Sequence, residues 1–207
     1  MRLLRQACQA HAVLGPAVLI FEAEAVCGKQ TAFLYGGITM NEYKLAQLTV
    51  AMTEFYSGEA KRVQHFMKVH GFARTIAALE NMDPAEKYVL EAAAIVHDIG
   101  IKPSEEKYGN CFGQNQEKEG PPVARTMLKE LGFNGALIER VCWLVGHHHT
   151  YAPIEGMDHQ ILVEADFLVN LFEGNKDRET IYSAYNKIFK TKSGKQLCKN
   201  MFALEEV

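Results

Sequence analysis

The run Ala92-Ala93-Ala94-Ile95-Val96-His97-Asp98-Ile99-Gly100 limits what this chain can become more than any other stretch. Alanine and aliphatic side chains on nearly every side predict a helix buried all round, so the His-Asp pair at its end leaves water with it. A buried carboxylate without a partner is costly. Neighbours in sequence cannot both point along one helical radius, yet near a helix end an imidazole and a carboxylate both reach a cation lying just beyond it. A divalent metal satisfies both groups.

A chain of 207 residues is long enough for one sizeable core and short for two full domains, which predicts one globular domain with an appendage. The formal net charge of -3 argues against a surface built to coat a nucleic acid polymer. Five cysteines, Cys8, Cys27, Cys111, Cys142 and Cys198, are odd in number and widely spread, with no Cys-x-x-Cys pair. Reduced thiols and a cytoplasmic location are the expectation. The longest uncharged run, Gln6 to Phe21, falls short of the roughly 20 apolar residues of a spanning helix, so no membrane anchor is expected, although Met1-Arg2-Leu3-Leu4-Arg5 has the charge of a secretion leader.

Residues 1–39 read differently from the rest, with scattered Gly and Ala and no amphipathic repeat. Tyr35-Gly36-Gly37-Ile38-Thr39-Met40 offers one reason. Two glycine codons written GGA-GGN ahead of an ATG would form a ribosome-binding site, making residues 1–39 an upstream-frame, tag-like segment before a domain of residues 40–207. A genuine helical extension or a homodimerisation arm is the other reading.

From Asn41 the pattern is helical throughout, and no strand-like alternation is found anywhere in the chain. Asn41 caps Glu42 to Tyr56, and Ser57-Gly58 closes that helix. Glu59 to Asn81 follows, with Val69, Phe72, Ile76 and Leu79 as its core stripe and His65 on the same face. His70 lies roughly 140° round the helix from His65 and cannot serve the same site. Asp83-Pro84 starts the central helix, and Gly100 is its stop. Lys102 to Gly120 reads as a loop over the site, and Pro121-Pro122 opens a helix from Val123 to Leu131. Asn134 caps a helix whose stripe Ile138, Val141, Val145 continues onto His148, with His147 on the adjoining row. In Asp158 to Phe172, Leu162, Asp166 and Val169 share a face. Two further amphipathic helices, Asp177 to Lys190 and Lys195 to Leu204, carry no visible chemistry.

Four helices thus each bring His or Asp onto an apolar face: His65, His97 with Asp98, His147 with His148, and Asp166. Imidazoles and carboxylates together suit Mn, Fe, Co, Ni, Zn or Mg with positions left for water, and the lack of a cysteine cluster argues against structural zinc. A cation so held lowers the pKa of bound water and polarises a phosphoryl oxygen.

On these residues, from about Lys61 to Glu173, the chain resembles the HD-domain superfamily of metal-dependent phosphohydrolases. The resemblance implies an all-α helical bundle with the metal site between central helices, and His65, His97, Asp98 and Asp166 as ligands of one divalent ion. In members with two metals the His-His pair, here His147-His148, helps bind the second. Gln116 departs from the family, which commonly has His at that position, and favours a single metal unless Glu117 substitutes.

Chemistry then assigns roles. Asp98 orients the metal-bound water or takes its proton, and His147 and His148 bind phosphate or protonate the leaving group. Arg62 and Lys102 are candidate phosphate contacts. The expected function is hydrolysis of a phosphate ester of a small, nucleotide-like metabolite. Two alternatives are a diiron oxygenase of HD type and a non-catalytic nucleotide-binding sensor.

Overall fold

The computed structural model describes Val18–Ile20, Phe33–Tyr35 and residues 38–205, and its contacts divide the chain into Met1–Ala46 and Gln47–Val207. The expectation of a tag-like segment over residues 1–39 falls mostly outside the described residues. What is described there includes three short antiparallel strands, β1 (Val18–Ile20), β2 (Phe33–Tyr35) and β3 (Ile38–Thr39), in the order β1-β2-β3, with Leu19 opposite Leu34 and Tyr35 opposite Ile38. This corrects the reading without strands. Two- and three-residue strands are too short for alternation to register.

Helix α1 (Met40–Phe55) begins at a reciprocal cap. Thr39 Oγ1 accepts from the Glu42 amide at 3.2 Å, and Glu42 Oε2 accepts from the Thr39 amide at 2.9 Å. The cap is therefore Thr39 rather than Asn41.

Within Gln47–Val207 the described residues form helices and connecting turns only, an all-α unit. Its helices are α2 (Ala60–Leu79), α3 (Pro84–Val96), α4 (Ile101–Tyr108), α5 (Gly113–Glu130), α6 (Gly135–Val145), α7 (Gly156–Glu173), α8 (Arg178–Lys187) and α9 (Lys192–Met201). None of the helices among the described residues is long and apolar enough to cross a membrane.

Helix α3 is the axis, packed against α2, α6 and α7. Asp83 caps it through the Ala85 amide at 2.8 Å, Pro84 fits the first turn, and every residue from Leu90 to Val96 is buried. On α2, Val69 and Ile76 are buried as the stripe requires, whereas Leu79 at the helix end is exposed.

Gly100 is not the stop of the central helix, which ends at Val96. His97–Gly100 is a single 3-10 turn that runs into α4, and the segment expected as a loop, 102–120, is largely the two helices α4 and α5. Pro121-Pro122 lies inside α5 rather than opening it. The glycine serves close approach: a Cβ at Gly100 would collide with the Gln116 carbonyl, so its absence lets α5 lie directly on the turn.

Of the acidic pair in Glu164-Ala165-Asp166, Glu164 is a structural clip. Fully buried, it accepts from the Thr191 amide at 2.9 Å, the Lys190 amide at 2.6 Å and Gln160 Nε2 at 2.8 Å, which fastens α7 to the start of α9. Asp166 instead meets an imidazole, its Oδ1 3.1 Å from His65 Nε2.

Candidate metal centre

Three elements bring four side chains together: α2 supplies His65, the 3-10 turn His97 and Asp98, and α7 Asp166; ligand atoms of the first three lie within 4.8 Å of one another, and Asp166 meets the two imidazoles. His65 Nε2 is 3.1 Å from Asp166 Oδ1, 3.4 Å from Asp98 Oδ2 and 3.4 Å from His97 Nε2. His97 Nε2 is in turn 3.4 Å from Asp98 Oδ2 and 3.6 Å from Asp166 Oδ1. Ligands bound at 2.0–2.1 Å sit about 2.8–3.0 Å from their neighbours in an octahedral shell and about 3.3–3.4 Å in a tetrahedral one, so all of these spacings but the 3.6 Å one fall within the range of coordination-shell edges.

Which nitrogen faces inward follows from the hydrogen bonds on the far side of each ring. His65 Nδ1 donates to Glu173 Oε2 at 3.0 Å, His97 Nδ1 to the Ala94 carbonyl at 2.9 Å, and His148 Nδ1 to the Val145 carbonyl at 2.7 Å. Each Nε2 is thereby the atom turned to the carboxylates, as metal-ligating histidines require. Two imidazole nitrogens and two carboxylates converging with no intervening donor repel one another unless a positive charge is shared among them. A proton or a cation supplies it.

The electrostatics agree. Burial opposes charging of His65, but Asp166, Asp98 and Glu173 outweigh it and raise its pKa to about 9 in the absence of metal. Burial likewise acts to raise Asp98 and Asp166, yet the surrounding imidazoles hold both carboxyl groups well below the usual range. Tyr56 steadies the turn from outside by donating to the Asp98 carbonyl at 2.7 Å. The donor set, the inward Nε2 atoms and the mutual spacing of His65, His97 and Asp98 therefore fit one divalent cation, with Asp166 beside both imidazoles.

A second group adjoins the first. Ligand atoms of Asp98, His148 and His149 lie within 4.8 Å of one another, with His148 Nε2 3.5 Å from Asp98 Oδ1. Asp98 thus offers Oδ2 to one cluster and Oδ1 to the other. Asp98 raises the pKa of His148 against its burial, whereas burial and the adjacent His148 lower that of His149 to about 4, leaving His149 neutral near pH 7.

Here the structure parts from the sequence reading. His147 is not at the centre: its ring stacks on Trp143 at 4.1 Å and 12°, and its Nδ1 donates to the Trp143 carbonyl at 2.7 Å. His149 takes the place expected of it. The reason is that α6 ends at Val145, so helical periodicity does not carry through the turn that follows. Glu117 is not placed as a ligand either; its Oε1 accepts from the His149 amide at 3.0 Å and Thr150 Oγ1 at 2.9 Å, and so anchors that turn. His70 pairs with Glu91 at 3.0 Å, away from the site.

A cavity of about 270 Å³ opens beside the cluster, lined by His65, Asp98, Gln116, His149 and, on its cationic side, Lys61 and Arg62. Arg62 is braced by Glu59 at 2.9 Å and Glu105 at 2.8 Å, which leaves its Nη1 buried and without a partner. Lys102 points elsewhere, its Nζ 3.3 Å from the Phe55 carbonyl and 5.3 Å from the centre of the Phe55 ring. A larger hollow of about 410 Å³, between Phe167 and Lys187, contains none of the clustered His and Asp residues.

With this geometry in hand, the comparisons with known proteins are direct. The HD-domain family model matches residues 62–188, a span that includes His65, His97, Asp98 and Asp166, and the chain belongs to that family. A predicted HD superfamily hydrolase from an uncultured Thermotogales bacterium is similar over 78% of this chain and 84% of its own, at 21% identity and a TM-score of 0.54. Bacillus subtilis YpgQ is similar over 77% of this chain and 88% of its own, at 15% identity and a TM-score of 0.53. At these identities the likeness is one of fold. No curated protein matches the sequence. Family and site together define an HD-domain protein whose clustered His and Asp side chains are suited to hold a divalent cation.

Proposed function

We propose that this chain is a metal-dependent phosphohydrolase that cleaves a phosphate ester of a small metabolite, working in the cytoplasm with its cysteines reduced. The observation that supports it most is the meeting, at one cavity, of a cation-binding cluster and the Arg62 side chain, whose guanidinium is braced by Glu59 and Glu105. A divalent ion held there supplies a polarised phosphoryl oxygen and a water of lowered pKa.

The chain's own groups do the rest. Arg62, fixed by two carboxylates, directs a charged donor at a phosphate oxygen. Asp98 engages the imidazole pair through Oδ2 and keeps Oδ1 free of them to orient the attacking water or take its proton. His148, set by the Val145 carbonyl, is assigned the proton that goes to the leaving oxygen. His147 and Lys102 have no part in this reading.

The test is a panel of phosphomonoesters, nucleotides and cyclic nucleotides, each with Mn, Mg, Ni or Co. Turnover that needs metal supports the proposal. Binding without turnover would point to the sensor, and no binding at all would overturn both. The grouping of Asp98, His148 and His149 favours capacity for a second cation, so two irons per chain on metal analysis would revive the oxygenase reading.

A further inference from the structure

We propose that the cavity beside the His-Asp cluster takes a polyhydroxylated phosphate ester, of the sugar- or polyol-phosphate class, and that Gln116 reads one of its hydroxyl groups. This rests on the phosphohydrolase reading and narrows its substrate away from the nucleotide-like one.

Among the described residues six buried side-chain polar atoms lack a hydrogen-bond partner, and four belong to this site: Arg62 Nη1, Gln116 Oε1, His148 Nε2 and His149 Nε2. Buried polar atoms are rarely left unpaired without a reason. His148 Nε2 faces Asp98 in the cation clusters. His149 belongs to the second of those clusters as well, which leaves Arg62 and Gln116, two residues of the cavity wall, with one charged donor and one amide acceptor unpaired.

Gln116 is the most sharply defined of them. It is 6% exposed, and its Nε2 donates to the Cys111 carbonyl at 2.7 Å. Turning the amide over would set two carbonyl oxygens against each other, so Oε1 is the atom left unpaired. Its backbone is wedged against Gly100, which fixes where the side chain starts. An acceptor so held asks for a ligand O–H or N–H close to the phosphate that Arg62 receives.

The walls favour a hydroxyl over a base. Of the nine lining residues Ile101 alone is aliphatic, and none is Phe, Tyr or Trp. A nucleobase draws roughly 1–3 kcal/mol from stacking on an aromatic face; the rings these walls hold are the imidazoles of His65, turned to Asp166 and Asp98, and of His149, already packed on His148 at 4.0 Å between ring centres. The cavity's 270 Å³ is also below the roughly 300–1,000 Å³ typical of pockets for drug-sized ligands, and suits a phosphate with a short polyol.

The experiment compares glycerol 3-phosphate with propyl phosphate as substrates of the Mn-loaded protein. Binding of their non-hydrolysable counterparts, 3,4-dihydroxybutylphosphonate and butylphosphonate, is measured by calorimetry. Wild type is expected to prefer the hydroxylated member of each pair by at least about 100-fold, because an analogue lacking the hydroxyl leaves Gln116 Oε1 buried and unpaired. Gln116→Met is expected to reduce the preference to a few-fold, and Gln116→Glu to retain part of it. Equal use of both esters by wild type, or an undiminished preference in Gln116→Met, overturns the inference while leaving phosphohydrolysis standing. Hydrolysis of nucleotides but of neither test ester also overturns it. If no phosphomonoester is turned over, the parent reading fails and this one with it.

Discussion

His65 is gripped at both nitrogens by carboxylates of one helix: Nε2 lies 3.1 Å from Asp166 and Nδ1 3.0 Å from Glu173, both on α7. Lys68 holds the other oxygen of Glu173 at 2.9 Å. The outer contact fixes the ring so that the inner nitrogen faces the cluster.

Glu173→Gln is therefore expected to weaken metal affinity by roughly 10–100-fold while preserving the fold, the usual effect of losing an outer partner of a ligating histidine. Competition against a fluorescent chelator reads this out. Unchanged affinity would mean that the outer contact does not orient His65.

Metal uptake should release protons. Without metal, His65 titrates near 9, so its imidazolium contributes stability that is full below the unfolded pKa of about 6.5 and lost as pH rises through 9. A cation must displace that proton, so affinity should climb from pH 7 towards 9 and then level. Calorimetry in two buffers of different ionisation enthalpy measures the release directly.

His97→Ala and Asp98→Ala are each expected to abolish metal-dependent turnover with the helical circular dichroism retained. His149→Ala should lower activity more than His147→Ala, because His149 lies against Asp98 and His147 against Trp143. Lys102→Ala should leave turnover nearly unchanged, since Lys102 is turned to Phe55. Steady-state kinetics with matched metal loading distinguishes the three.

Gly100→Ala should cost roughly 1–3 kcal/mol of stability, because the added methyl group forces α5 off the His97–Gly100 turn. Urea unfolding gives the value. A neutral result would show that this packing is looser than the structure describes.

Much of the centre was legible because apolar surroundings make a polar residue conspicuous. His97-Asp98 stands out in an all-apolar helix, and His65 and Asp166 interrupt otherwise aliphatic stripes. Helix α5 was hidden for the opposite reason. Its buried face is Gln116, Gly120, Ala124 and Leu128, a regular four-residue repeat whose first two members are not hydrophobic. That spacing, read for small and polar residues as well as aliphatic ones, was the available signal. His149 was missed because three consecutive histidines in a turn have no helical phase to choose between them. The role of Glu117 in anchoring that turn depends on a contact 32 residues away in sequence, which local pattern does not encode.

The central claim is that His65, His97, Asp98 and Asp166 together hold a divalent cation. Metal content by plasma mass spectrometry, after equilibration with Mn, Ni, Co or Zn and removal of loosely bound ions, tests it for wild type beside Asp166→Ala. The account predicts at least about one ion retained per wild-type chain and almost none in the variant, with both still helical. A folded wild type that retains no ion, or a variant that retains as much as wild type, would contradict it.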